Sequence, residues 1–304
     1  MGKFITRIEN IYNIHVEFLG KCDEAELKLK KKLMDNVNLN PKSTNIIITN
    51  DADVVLMLST LENPTNTYIF NKNLKNIEII SIGELLLAHG ASLSPNPNPN
   101  PNPVSNLDFT CVNMLMGNDY LPKLYGLTFD KLWNGYKYVL KFIKSGLVDP
   151  INKSINKLFF KCLLITINNT VRQPKPSDKL TIANLFNKTY SNYMDGYTWC
   201  IHIYITGICS RYNYMYESNS IPSPLGLAIN IDLNPELLKV NTSINPPLNK
   251  ELYAMLLLPY KYTNLIDSKY IKFIENQPIL YSKSDITLPQ ILNLIDLFNK
   301  FVNL

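Results

Sequence analysis

The chain has 304 residues, 46% of them hydrophobic and 18% charged, with a formal net charge of +5. That balance excludes a disordered tail, because this much apolar side chain can build a core for one large or two modest domains. The mild basicity suits a polyanionic partner without requiring one.

Five cysteines, an odd number scattered without CxxC spacing, exclude a disulfide framework and read as reduced thiols. Cys200, His202 and Cys209 lie close together, but no second CxxC or HxxxH element completes a zinc set, so they are expected to pack. The start MGKFITRIEN lacks a signal-peptide apolar run, and FFKCLLITI and WCIHIYITGIC fall short of the ~20 residues of a bilayer span. The expected setting is therefore the cytoplasm, with the nucleus open, and no membrane.

In chain order, IYNIHVEFL (11–19) alternates like a strand and stops at Gly20. The following DEAELKLKKKLMD places acids before lysines, which complements a helix dipole and puts Glu24 and Glu26 at the helix start. Lys28, Lys30, Lys31 and Lys32 read as a solvated face of that helix. The run Ile46–Thr49 predicts a strand covered on both faces, and Asp51 is placed to cap a helix over ADVVLMLSTL, with Asp53 in its first turn. Strand, acidic turn and helix in this order predict a parallel α/β sheet, whose ligands bind beyond the carboxyl ends of strands.

TYIF (67–70) and IEIISI (77–82) read as further strands, and GELLLAHG as a helix closed by Gly90. The Asn-Pro repeat at 94–103 can enter neither a helix interior nor a sheet and reads as a surface loop. In VSNLDFTCVNMLMGNDYLPKL an apolar helix is halted by Gly117, leaving Asp119 at its end. Phe129, Leu132, Trp133, Tyr136, Leu140 and Ile143 recur at helical spacing, and apolar stretches follow at 158–167 and 180–188. The aromatic segment 193–216 reads as core in preference to a base-stacking platform. The expected organisation is an acidic metal-binding α/β core over 1–125 and a mainly helical part over 126–304.

Glu24 and Glu26, Asp51 and Asp53, and Asp119 form three acidic groups, each at a turn beside an apolar element. Singly, such pairs arise by chance on helix ends. Together they would need a cation, and paired hard divalent ions such as Mg²⁺ suit phosphodiester cleavage.

The strings GKCDEAELKL, TNDADVVLML and MGNDYLPKL resemble three successive acidic motifs of the Xrn family of 5′→3′ exoribonucleases, approximately GEGEHKI, GLDADLIML and GNDFLP. YMDGYTWCIHIYITGICS is similar to the family's YxEGLxWVLxYYYxGxxS segment, and IEIISIGELL resembles the element between two acidic motifs. LNKELYAMLLLPYKYTNL through ENQPILYSKSDITL resembles the later region, where an LLxVLP helix precedes a Pro-Ile strand. The likeness runs in order over nearly the whole chain.

The resemblance implies a PIN- or flap-nuclease-like α/β core, incomplete at its N-terminus, followed by a mainly helical region. It implies metal ligands at Glu24, Glu26, Asp51, Asp53 and Asp119, two Mg²⁺ or Mn²⁺ ions, and RNA with a 5′-monophosphate as the substrate, released as mononucleotides. Ala25 and Leu27 depart from the Gly and His of GEGEH, and Arg211, Tyr212, Tyr214 and Tyr216 stand where the family has tryptophans. The family's N-terminal segment, with two further aspartates and a basic 5′-phosphate pocket, has no counterpart in the 304 residues. A second chain would supply that half, or the site is incomplete. Two alternatives stay open: an inactive RNA- or partner-binding remnant, and a flap-type DNA nuclease sharing the acidic core.

Overall fold

A computed structural model describes residues 25–40, 42–72, 77–93, 106–170, 188–216, 221–239, 247–282 and 286–302. The sequence-predicted strand at 11–19, Glu24, the Asn-Pro loop at 94–103 and most of the apolar stretch at 180–188 lie outside them. The chain divides into two compact units, Ala25–Ile244 and a second that contains Asn245–Leu304.

The first unit begins with α1 (Ala25–Leu39), β1 (Asn45–Ile48), α2 (Ala52–Ser59), β2 (Thr67–Lys72), β3 (Ile77–Ser81) and α3 (Ile82–Leu93). The strands form one sheet in the order β1-β2-β3. β1 and β2 are parallel, joined by the α2 crossover, whereas β3 runs antiparallel to β2. The expected all-parallel sheet is therefore corrected to a small mixed one. The reason is local: only residues 73–76 separate β2 from β3, and a parallel return needs a crossover of about a dozen residues.

One face of this sheet is buried. Ile47 of β1 and Ile69 of β2 pack with Leu33 of α1, Val54 and Leu58 of α2, and Ile82 of α3. Full burial of each such side chain contributes about 1.5–3 kcal/mol. The other face is open: Ile46 and Ile48 are 67% and 78% exposed, so β1 is not covered on both faces as its apolar run predicted. Pairing of Ile46 with Tyr68, and of Ile48 and Ile79 with Phe70, gathers these side chains on the open side. α3 runs through Gly90 to Leu93 and does not close at the glycine, where a side chain would meet open space.

The rest of the unit is helical: α4 (Asn106–Asn113), a 3₁₀ turn at Met114–Met116, α5 (Phe129–Leu140), α6 (Lys157–Thr170), α7 (Lys188–Thr206) and α8 (Pro224–Leu233). The apolar residues of α5 recur at helical spacing because Leu132, Trp133, Tyr136 and Val139 are its buried face. They join one large core with Phe159, Phe160, Leu163 and Leu164 of α6 and with Tyr193, Tyr197 and Cys200 of α7. Buried Asp108 of α4 accepts hydrogen bonds from the Tyr136 hydroxyl and from the backbone N–H groups of Leu147 (2.6 Å) and Val148 (2.7 Å). It thereby ties the loop after α5 to α4.

The second unit contains α9 (Lys250–Leu257), a short α10 (Ile271–Glu275) and α11 (Leu288–Val302). Leu252, Met255, Tyr270, Phe273, Ile274, Leu294 and Phe298 form its core. Pro278–Tyr281 is a 3₁₀ turn, where the resemblance implied a Pro-Ile strand.

Candidate active site

Asp51 follows β1 and caps α2, its Oδ1 accepting from the Asp53 backbone N–H at 2.9 Å. Asp51 has extended backbone (φ −85°, ψ 123°), the geometry in which a short carboxylate reaches back to the first free N–H groups of a helix. The cap also fixes the direction in which Asp53, in the first turn, leaves the helix.

Asp53 is half-buried and the most perturbed acid of the group. Its carboxyl is held above the usual carboxylate range, first by burial and then by the negative charge of Asp51, with smaller contributions from Asp119 and Glu26. The Tyr204 hydroxyl hydrogen-bonds to it and pulls the other way. Like charges close enough to oppose ionisation must share a neighbourhood. The turn after β1, the start of α1 and the loop after the Met114–Met116 turn therefore each bring a carboxylate within electrostatic range of Asp53. Glu24 lies outside the described residues.

Glu26 is half-buried in the first turn of α1. Asp119 sits in a tight loop set by its neighbours. Gly117 has φ +88°, and a Cβ there would lie 2.7 Å from the Lys123 backbone nitrogen, so the position requires glycine. Asn118 Oδ1 accepts from the N–H groups of Tyr120 (3.0 Å) and Leu121 (2.9 Å), folding the chain so that the Asp119 side chain faces outward.

Three residues of this neighbourhood lie outside the set picked from sequence. Tyr204, on α7, stands beside Asp53 and Asn118; burial and the Asp53 charge hold its phenol above the usual range. Lys30 is buried behind the acids, its Nζ donating to the Met57 carbonyl at 2.9 Å and to Thr60 Oγ1. Thr60 in turn donates to the Tyr204 carbonyl at 2.6 Å, so α1, α2 and α7 are joined by one polar cluster. Burial lowers the Lys30 amine to about 7. The expectation that Lys30 belongs to a solvated face is thus corrected. Its spacing from Leu27 and Leu33, both buried, placed it on the inner side of α1 and was the available signal.

Beside Asp119 a pocket of about 350 Å³ is lined by Asn118, Tyr120, Tyr214 and Tyr216, among others. Its aromatic wall is organised from α7: Trp199 meets Tyr120 edge-on at 5.0 Å and Tyr214 at 4.7 Å. Tyr214 is pinned by a hydrogen bond from its hydroxyl to the Asn192 carbonyl at 3.1 Å, lying over Gly196, where any side chain would collide with it. Arg211 pairs with Asp195 at 2.8 Å. Of the segment 193–216 expected to be core, the first part is, with Tyr193, Tyr197, Trp199 and Tyr204 all buried, whereas Tyr214 and Tyr216 are half-buried and line the pocket. Cys200 is buried there too, near Asn118, and its thiol is pushed up to about 12 by burial.

Among the described residues no three His, Cys, Asp or Glu side chains stand in a single ligand shell. The acids nonetheless offer the kind of donor that a hard divalent ion takes, carboxylate oxygens. Among the described residues no helix is long and apolar enough to cross a membrane.

No protein-family model and no curated protein sequence matches this chain.

Proposed function

We propose that the chain is a divalent-metal phosphodiesterase that shortens RNA from a 5′-monophosphorylated end, as its resemblance to the Xrn exoribonucleases implies. One relationship carries the reading: Asp51, Asp119 and Glu26, from three distant segments, all place negative charge within electrostatic range of the half-buried Asp53 carboxyl. Negative charges gathered near one half-buried carboxyl destabilise its ionised form unless a cation is shared with it.

Asp53 and Asp51, with Asp119 and Glu26 opposite, would hold Mg²⁺ or Mn²⁺; when bound, such an ion activates water and stabilises the leaving oxygen. The protein's own contribution is positional. Asp51 is fixed by its cap, Asp53 by Tyr204, and Asp119 by the Gly117–Asn118 turn. The tyrosine-lined pocket beside Asp119 offers aromatic faces to an unpaired base next to those acids, which favours a single strand over a duplex.

Incubation with 5′-monophosphorylated RNA, 5′-hydroxyl RNA and a branched DNA, each with Mg²⁺ or chelator, tests the reading. Mg²⁺-dependent release of mononucleotides from the 5′-phosphorylated RNA, lost in Asp51→Ala, Asp53→Ala, is the expected result. Preference for the branch would instead mark a flap-type nuclease, and RNA binding without any cleavage an inactive module.

A further inference from the structure

Helix α5 carries a second surface that the acidic site does not use. Its inner face is buried, while Tyr138 and Phe142, one turn apart, are 54% and 71% exposed. Their rings meet edge to face at 5.2 Å, which holds both in place without hiding them. Lys137, Lys141 and Lys144 flank this pair along the same side of the helix and the turn that extends it. None of the three lysines has an ion pair among the described residues. The acids nearest in sequence do not serve them: Asp130 stands at the far end of α5, and Asp149 accepts from the backbone N–H groups of Ile151 (2.8 Å) and Asn152 (3.0 Å). The stripe ends at Ser145, whose hydroxyl accepts from the Asn156 amide at 2.8 Å and fixes the turn beyond α5.

We propose that this stripe binds single-stranded nucleic acid, with phosphates on Lys137, Lys141 and Lys144 and a base on the Tyr138–Phe142 pair. Uncompensated cations four and three residues apart, on the last turn of a helix and the turn that follows it, complement a polyanion. Exposed aromatic faces between them add what only an unpaired base can use. A membrane surface fits less well, because an interfacial helix needs a whole apolar face, and that face of α5 is in the protein core. The inference concerns a surface apart from the acidic residues and stands whether or not the chain cleaves its ligand.

The test is fluorescence anisotropy of the full chain with a labelled oligouridylate in chelator, where no metal-dependent cleavage intervenes. Phe142→Ala is expected to weaken binding about tenfold, the effect of one lost stacking contact. Lys141→Ala with Lys144→Ala is expected to reduce the slope of log K against log salt by about 1.4, two phosphate contacts at about 0.7 each for a single strand. Both variants change exposed side chains and should melt like the wild type. Unchanged affinity and slope in both variants would overturn the proposal. So would lysine-dependent binding to phosphatidylserine vesicles with no binding of the oligonucleotide.

Discussion

The Tyr204 phenol stands beside the Asp53 carboxyl although 151 residues of chain separate them, bringing the end of α7 to the first turn of α2. The phenol favours the ionised form and so offsets part of the burial and of the three like charges that oppose Asp53 ionisation. Tyr204→Phe in metal-free buffer should therefore raise the Asp53 carboxyl further, read from its side-chain carbon shift across a pH titration. An unchanged titration would mean that the hydroxyl does not act on Asp53.

Asp51→Asn separates two roles of one residue. Asn retains the oxygen that caps α2, so the helix start persists, while the charge that most opposes Asp53 among its neighbours disappears. Without divalent ions this variant should melt at or above the wild-type temperature. Asp51→Ala removes the cap as well and should cost about 1 kcal/mol by denaturant titration.

Lys30 gives a pH dependence of definite sign. Its folded value of about 7 lies below the 10.5 of an unburied lysine, so between these two the unfolded chain binds more protons. Stability from this residue therefore rises with pH from about 7 to 10.5 and is lowest, by a constant amount, below about 7. Lys30→Met should match or exceed the wild type at pH 6 and lose that slope, as urea midpoints across the range would show.

Asp108 runs in the opposite direction. Burial pushes its carboxyl to about 6, against 3.8 unburied, despite the bonds from Tyr136, Leu147 and Val148. Here the folded chain binds more protons between about 4 and 6, so this group's contribution declines as pH rises through that window. Asp108→Ala strands three buried donors and should cost about 2–4 kcal/mol by urea denaturation. A cost below 1 kcal/mol would mean that water reaches those groups.

Gly117→Ala tests the loop that carries Asp119. Left-handed backbone alone costs a non-glycine residue about 1–2 kcal/mol, and the added Cβ would meet Lys123 backbone. Loss of stability should accompany loss of any Mg²⁺-dependent activity.

What the sequence discloses follows the range of the interaction. The Asp51 cap and the stop at Gly117 are readable because cap and turn chemistry depend on a few adjacent residues. The buried stripe of α5 is readable because helical period is local. The open face at Ile46 and Ile48 is not, since an apolar run cannot tell which side its helices will occupy. Tyr204 is not either: nothing near it in sequence announces a partner 151 positions away. Lys30 hides among lysines that are otherwise half-buried or exposed, and its spacing from Leu27 and Leu33 is the one local sign that it turns inward.

Whether these acids act together as a divalent-ion site is tested most directly by thermal unfolding of the wild type and Asp53→Asn, each with and without millimolar Mg²⁺. A ligand at one hundred times its Kd adds about 2.7 kcal/mol to the folded state, a shift of a few degrees for a chain of this size. The wild type should gain that shift and Asp53→Asn should not. No shift in the wild type, or the same shift in both, would contradict the account.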